Sequence, residues 1–282
     1  MRRALLLLLA ALAAPAGDDA LLPRLVRAIR EGDPAAARTA HDVLKRMGRE
    51  AWPHVMPLLD DPDPEVRLRA ARLWEAMAGE VGDWWGLPVR GAAFRDGLPT
   101  RARHKATGIE MVLVPGGRFR PGPEGDAPVV EIAPFYLSAT EVTQAQYRAG
   151  WPGAMLAFAE HRAAYPVTGM SHAGIAPWLA RTDLRLPTEA EWEYACRAAP
   201  APPHAPRREC APVGERSPGA LGLFDMEDNV AEWCADATVD GRRVVRGGSF
   251  ADPPGDRGPF ARRLVPADRR APTIGFRVAR AP

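Results

Sequence analysis

The stretch RLPTEAEWE, residues 185–193, carries the pattern of a capped helix start. Thr188 can accept a hydrogen bond from the backbone N–H three residues on, and Glu191 can reach back to the Thr188 N–H. Such a cap contributes about 1 kcal/mol to helix stability. The stretch TQAQ, residues 143–146, has the same capping-box pattern and predicts a second helix, opening at Tyr147.

Short strands and turns are predicted around these helices. MVLVPGGRF, residues 111–119, indicates a hairpin with a Pro-Gly-Gly turn, and FYL, residues 135–137, indicates a further strand. The chain has 30 Pro and 26 Gly, which excludes an all-helical bundle and suits a turn-rich fold. Hydrophobic residues at 46% exclude wholesale disorder. A net charge of +2 predicts no strong attraction to nucleic acid or anionic membrane.

Further motifs follow in a fixed order after the first helix start. They are GLFDM at 222–226, NVAEW at 229–233, RGGSF at 246–250 and IGFR at 274–277. In this order, the segments resemble the formylglycine-generating enzyme family, also called the sulfatase-modifying factor domain, over about residues 108–280. The resemblance implies an α+β, C-type-lectin-like fold with much irregular structure, and we assign it to residues 106–282.

The chemistry that the resemblance implies depends on two cysteines. Active members oxidise a cysteine of an unfolded sulfatase segment to formylglycine with oxygen and copper(I), a soft ion that prefers thiolates. The two cysteine positions match Asp252 and Arg257, and neither side chain replaces a copper thiolate. Ser249 matches the active-site serine, and we interpret it as a strand-end hydroxyl bonded to backbone. We therefore expect no copper and assign no catalytic residue.

The three cysteines of the chain do not fit the copper role. Cys196 follows the helix that begins near 189, Cys210 lies in a Pro-rich loop, and Cys234 adjoins a tryptophan. A Cys196–Cys210 disulfide and buried free thiols both remain open. The sequence does not decide between these two states.

The resemblance also implies a structural calcium ion. Asp225 and Glu232 would supply side-chain oxygens, and Asp228 and Val230 would supply backbone carbonyls, which are the hard donors that calcium prefers. Asp228 stands where the family has glycine, which matters if the backbone there has a positive φ. An ordinary acidic loop is the alternative.

The N-terminus has the pattern of a secretory signal peptide over residues 1–16. A basic start at 1–3 precedes an apolar run at 4–14 and a small-x-small pattern at 14–16. The apolar run is shorter than the roughly 20 residues that a membrane span needs. We expect export to the periplasm or the extracellular space, with no membrane span.

Residues 17–79 are expected to form helical repeats, because residues 19–79 contain a self-match at a period of 30, in which Asp33-Pro34 pairs with Asp63-Pro64. The stretch DPDPEVRLRA, residues 61–70, resembles a short HEAT-type repeat. Helices are expected near 19–31, 34–47, 50–59 and 64–78. We favour a role in bracing the rest of the chain over binding other proteins, and we expect residues 80–105 to be a linker.

Two functions follow from these patterns. The first is an exported, non-catalytic binding or accessory module (a pseudoenzyme) with an unknown protein or peptide ligand. The alternative is a formylglycine-generating oxidase acting on a sulfatase cysteine, or other chemistry on the same scaffold. No two histidines have the i, i+4 spacing of a metal site.

Overall fold

The structure is a computed structural model in which the chain divides into two compact units. It describes residues 21–31, 34–80, 86–123, 127–153, 162–198 and 200–282. Unit 1 comprises residues 1–85 and 90–99, and unit 2 comprises residues 86–89 and 100–282. The predicted signal peptide lies outside the described residues, so cleavage and export stay predictions.

Unit 1 is mainly helical in its described part. Its elements are α1 Leu21–Glu31, α2 Pro34–Met47, a 3₁₀ turn Gly48–Ala51, α3 Trp52–Val55, a 3₁₀ turn Met56–Asp60 and α4 Pro64–Glu80. Helix α1 packs against α2, and α2 packs against α4. Leu25, Leu44 and Leu73 are fully buried, as are Ala40 and Ala70, which the 30-residue period aligns. The expected N-terminal helices are present, and their assignment to a HEAT-type repeat stays a prediction.

The expected continuous helix over 50–59 is wrong. Only one α-helical turn forms there, between two 3₁₀ turns. Pro53 and Pro57 lack the N–H that an α-helical hydrogen bond needs, so a regular ladder cannot run through the segment. Helix α4 begins after Asp63, whose Oδ1 accepts the Glu65 N–H at 2.8 Å, as the Asp-Pro pattern predicts.

The segment expected to be a linker contains short strands in both units. Strands β1 Gly86–Pro88 and β4 Arg101–His104 pair within unit 2. Strands β2 Phe94–Arg95 and β3 Leu98–Pro99 form a hairpin within unit 1. Strands of two to four residues are too short to show hydrophobic alternation, so they could not be predicted from the sequence.

Unit 2 contains two main sheets. Its remaining strands are β5 Glu110–Val114, β6 Gly117–Phe119, β7 Val130–Ile132, β8 Phe135–Ser138, β9 Ala231–Ala237, β10 Arg243–Gly247, β11 Gly258–Val265, β12 Ile274–Gly275 and β13 Ala279–Arg280. One sheet has the order β1-β4-β5-β8-β13, and the other has the order β11-β10-β9-β12. Strand β12 runs parallel to β9, and the other pairs are antiparallel. Strand β9 of the second sheet carries Glu232, and most other residues of the candidate site lie in loops.

The predicted hairpin over residues 111–119 is wrong. Strand β5 pairs with β4 and β8, whereas β6 pairs with β7. The Pro-Gly-Gly segment carries the chain from one sheet to another instead of turning it back. A Cβ on Gly116 would lie 2.7 Å from the Ile132 carbonyl oxygen, so this crossing needs glycine.

Both predicted capping boxes are present in unit 2. The helices are α5 Gln144–Gly150, α6 His172–Thr182 and α7 Glu189–Ala198. The Glu191 N–H donates to Thr188 Oγ1 at 3.1 Å, and the Thr188 N–H donates to Glu191 Oε2 at 2.8 Å. Helix α5 begins at Gln144 and not at the predicted Tyr147, because its cap is Thr143 and helical residues follow a cap directly.

The core of unit 2 lies between the sheets and α7. Trp192 of α7 and Phe135, Leu137 and Val112 of the first sheet belong to one buried cluster. This packing fixes the Trp192 indole beside β9, where the candidate site begins. Among the described residues, no helix combines the length and apolar character that crossing a bilayer requires.

Candidate functional site

A buried ion pair stands at the centre of the site. Glu232 lies on β9 and is 1% exposed. Its two oxygens accept hydrogen bonds from Arg277, from Nε at 2.7 Å and from Nη2 at 2.8 Å. The indole N–H of Trp192 donates to the same carboxylate at 2.6 Å. Arg277 also donates to the carbonyl oxygens of Ser138 and Phe224, so the pair connects both sheets to the 222–226 loop.

A second buried carboxyl group lies close to this pair. Glu141 is fully buried; its Oε1 accepts a 3.0 Å hydrogen bond from Asn229 Nδ2, and its Oε2 has no hydrogen-bond partner among the residues that the structure describes. Burial raises the pKa of Glu141 well above its usual range, and the negative charges of Asp225 and Glu232 raise it further. The neutral form is therefore favoured, because an unpaired buried charge is costly.

Asp225, predicted as a calcium ligand, has a left-handed backbone with φ of 54°. Its Oδ2 accepts the Gly214 N–H at 2.7 Å, and its Oδ1 lies 3.3 Å from Arg207 Nη2. The Arg207 side chain is 9% exposed, so this contact is largely shielded from solvent. Both carboxylate oxygens of Asp225 thus have donors from the 207–214 segment.

Asp228 collects the largest set of donors at the site. Arg216 Nη1 lies 2.6 Å from Oδ2, and Arg257 Nη1 lies 2.7 Å from Oδ1. The backbone N–H groups of Arg207 and Asn229 donate at 3.0 and 2.7 Å. Burial alone would raise the pKa of Asp228, but these hydrogen bonds and the two guanidinium charges lower it overall. Asp228 does not have a positive φ, whereas the next residue, Asn229, has a φ of 70°.

The donor set does not fit calcium. The carboxylates of Asp225, Asp228 and Glu232 all face arginine side chains, whose charge repels a cation. Within the described ranges, no group of three or more His, Cys, Asp or Glu side chains is arranged to hold a metal ion. The expected calcium, with Val230 as a carbonyl ligand, stays a prediction that this geometry does not support.

Ser249 and Asp252 form a compact pair where the family serine and first cysteine would lie. Ser249 is fully buried, and its Oγ donates to Asp252 Oδ2 at 2.7 Å. The hydroxyl therefore bonds a carboxylate, and its expected backbone contact is confined to the Ala251 N–H at 3.4 Å. Asp252 Oδ1 lies 2.6 Å from Arg263 Nη1. Burial raises the pKa of Asp252, but the bonds from Ser249 and Arg263 lower it overall.

Arg257 lies at the second cysteine position, and all three nitrogens of its guanidinium donate hydrogen bonds. Its Nη1 donates to Asp228, and its Nε donates to the Asp252 carbonyl oxygen at 2.8 Å. Its Nη2 donates to the carbonyl oxygens of Phe250 and Arg207 at 3.0 and 3.1 Å, and also to that of Asp252. The guanidinium thus joins three segments at the position where copper would bind.

The cysteines are free thiols, and the Cys196–Cys210 disulfide does not form. Cys196 and Cys234 are buried, and burial raises the pKa of both thiols. Burial also raises the pKa of the half-buried Cys210, to about 11. Copper(I) is bound by thiolates, which these pKa values disfavour near neutral pH. The residues present therefore do not fit the copper centre of the family.

Three residues of the site were not predicted from the sequence. Arg207 and Arg216 lie in a Pro-rich segment without periodicity, and Glu141 lies two residues before the cap residue Thr143. Glu141 meets Asn229 across 88 positions, and Arg257 meets Asp228 across 29 positions. No local pattern signals contacts of this range.

Comparison with known proteins defines the class of domain. The family described as Sulfatase-modifying factor enzyme 1-like domain matches the chain over residues 97–208 and 201–282. The chain belongs to this family.

The proteins similar to this chain in sequence have names that indicate different activities. A Formylglycine-generating enzyme of Thermomonospora curvata is 25% identical over 248 residues, which cover 50% of this chain and 82% of that protein. The Serine/threonine-protein kinase pkn1 of Chlamydia pneumoniae is 31% identical over 176 residues, 45% of this chain and 28% of the kinase. The chain thus spans little more than a quarter of that kinase.

Solved structures confirm the predicted α+β, C-type-lectin-like fold. PvdO from Pseudomonas aeruginosa superposes with a TM-score of 0.54 at 24% identity, covering 62% of this chain and 95% of PvdO. CarF superposes with a TM-score of 0.50 at 22% identity, covering 62% of this chain and 98% of CarF. At these identities the comparison concerns the fold alone.

Proposed function

We propose that this chain is a non-catalytic member of the family, an exported module that binds a protein or peptide partner. The observation that carries the proposal is the state of Asp252 and Arg257. Both stand where copper-binding cysteines would be, and both are held by hydrogen bonds within the site. A carboxylate paired with arginine and a guanidinium bonded to three carbonyl oxygens offer no soft donor to copper(I).

Asp252 and Arg257 also fill the space around these positions. Arg257 spans the space between the 207, 228 and 250–252 segments, so its side chain closes the position of a two-thiolate centre. Gly248 lies against it, because a Cβ at Gly248 would be 2.9 Å from the Arg257 Cα. This close packing supports a structural role for Arg257 in a non-catalytic member of the family.

A binding role is also consistent with the variety of relatives. Parts of this chain are similar in sequence to a protein named as a formylglycine-generating enzyme and to a protein named as a protein kinase. Since a fold hosts unrelated functions, site residues carry more weight than family membership. Export rests on the predicted signal peptide at residues 1–16, and bracing by the N-terminal helices rests on their repeat pattern.

The alternative is a formylglycine-generating oxidase. The 25% identity across 82% of a formylglycine-generating enzyme favours it, as does the serine at position 249. This oxidase reaction requires copper(I), so a measurement of copper(I) binding distinguishes the oxidase from the non-catalytic binding module.

Copper(I) titration of the full chain against a competing chelator tests this difference. We expect no protein-bound copper above that of a Cys196→Ser, Cys210→Ser, Cys234→Ser variant. The double variant Asp252→Cys, Arg257→Cys is the matched positive control, and we expect it to regain copper(I) binding. Stoichiometric, tight copper(I) binding by the unaltered chain would contradict the proposal.

Co-purification tests the partner. Tagged full-length chain, cross-linked in its source cells, should carry a stoichiometric protein partner, and Asp252→Ala should leave that partner bound. A chain that purifies alone after cross-linking would contradict the binding role.

A further inference from the structure

We infer that Arg207, Arg216 and Arg257 take the place of a divalent cation at the Asp225–Asp228 loop, so that unit 2 is stable without calcium. This inference concerns the stability of the fold and holds whether or not the proposed binding function is correct. It rests on the geometry of the arginines around two buried carboxylates.

A segment from residue 205 to residue 216 is bonded to the acidic loop along its length. The Gly214 N–H donates to Asp225, and the Ala211 N–H donates to Asn229 Oδ1 at 3.0 Å. Arg216 donates through Nη1 to Asp228 and through Nη2 to the Ala205 carbonyl oxygen, each at 2.6 Å. One guanidinium thereby fixes both the start of the segment and the acidic loop.

The arginines perform the two tasks that a bound calcium performs. A calcium ion neutralises carboxylates and draws carbonyl oxygens from separate loops toward one point. Arg216 and Arg257 neutralise Asp228, and Arg257 gathers the carbonyl oxygens of residues 207, 250 and 252. Charge-assisted hydrogen bonds of this kind are short and directional, so they hold loop geometry as ligand bonds do.

The carboxylate charges around the acidic loop are balanced by arginine charges without a further cation. Asp225, Asp228 and Glu215 face the three guanidinium groups, since Arg207 pairs with both Asp225 and Glu215. Adding a divalent ion would bring two positive charges beside arginines that are 9% to 20% exposed, where solvent screens repulsion poorly. Calcium could enter only if an arginine left.

Thermal unfolding of the full chain tests the claim that unit 2 is stable without calcium. We expect the Tm to be the same within 1 °C (about the reproducibility of such scans) in EDTA and in excess CaCl₂, because an ion that does not bind cannot stabilise. Elemental analysis should find much less than one calcium per chain. A Tm that rises with calcium, or falls on chelation, would overturn the inference.

Substitution of an arginine tests the claim that these arginines replace a cation. The readout is the calcium dependence of the Tm, which the loss of an ordinary ion pair would not change. Arg216→Met should lower the Tm, by about 2–4 °C for each 1 kcal/mol lost, and should make the Tm rise when CaCl₂ is added. Arg242→Met is the matched control, because the Arg242–Asp240 pair is exposed on both sides. Its Tm should change little and show no calcium response.

Two further variants make the calcium response decisive. Asp228→Asn in the Arg216→Met background should abolish the response, since it removes the carboxylate charge that has lost one of its two arginine partners. Arg216→Lys supplies a variant with milder effects on folding, and calcium should raise its Tm less than that of Arg216→Met. If neither Arg216 variant gains any calcium response, the arginine does not stand in for a cation and the inference fails.

Discussion

Arg277 and Glu232 form a fully buried ion pair with two hydrogen bonds, and Trp192 donates a third hydrogen bond to the same carboxylate. The pair joins the GFR motif near the C-terminus to the NVAEW motif on β9. Two of the segments that carry the family resemblance are therefore partners in space.

Removing one member of this pair should be among the most destabilising single changes in unit 2. Arg277→Met leaves an uncompensated buried carboxylate, so we expect the free energy of unfolding to fall by about 3–5 kcal/mol. Urea denaturation measures it. Arg262→Met is the control, because its pair with Glu189 is much less buried, with side chains 42% and 24% exposed, and should contribute at most about 1 kcal/mol. Equal losses in both variants would contradict the buried-pair account.

Glu141 should make stability depend on pH. Its pKa is raised in the folded chain, so folding takes up a proton above the unfolded pKa of about 4.3. This contribution is full at low pH and declines as pH rises toward the folded pKa. Glu141→Gln should flatten the decline between about pH 5 and pH 8, measured by urea denaturation at each pH. Exposed Glu131→Gln is the control, and an unchanged slope in Glu141→Gln would contradict the argument.

Gly248→Ala should destabilise the site. Gly248 has φ of 100°, and an added Cβ would meet the Arg257 Cα at 2.9 Å. The strained backbone alone predicts a loss of about 1–3 kcal/mol. Gly255→Ala is the matched control, since nothing lies within 4 Å of its Cβ position. Thermal unfolding of the two variants compares them, and similar Tm values would count against the close packing.

Export predicts cleavage after Ala16. N-terminal sequencing of the protein from the medium or periplasm of its source should begin at Gly17. Recovery of chains that begin at Met1 would contradict the signal-peptide prediction.

Local features of the fold followed from the sequence, and distant ones did not. The Thr188–Glu191 capping box acts across three residues and was predictable. The 111–119 hairpin was wrong, because strand pairing is chosen by partners remote in sequence. Pro53 and Pro57 did mark the break in the third helix, so that error was avoidable.

The candidate site shows the same division. The family motifs located Asp225, Asp228, Glu232 and Ser249 in one region of unit 2, but not the charges that face them. Arg207 reaches Asp225 across 18 positions, and Arg216 reaches Asp228 across 12 positions. Side-chain ion pairs between irregular segments follow no periodicity, so only the structure reveals them.

Mass spectrometry of a sulfatase-type cysteine peptide tests the central claim most directly. The full chain, copper(I), oxygen and a reductant are incubated with the peptide, and an active formylglycine-generating enzyme is run in parallel. Without a thiolate pair to hold copper(I) beside the substrate thiol, we expect conversion no faster than in a no-protein control. We expect the same of the Asp252→Cys, Arg257→Cys variant, because misplacement by about 1 Å can cost roughly a hundredfold in rate. Conversion of the cysteine to the aldehyde by the unaltered chain, above the control, would contradict the account.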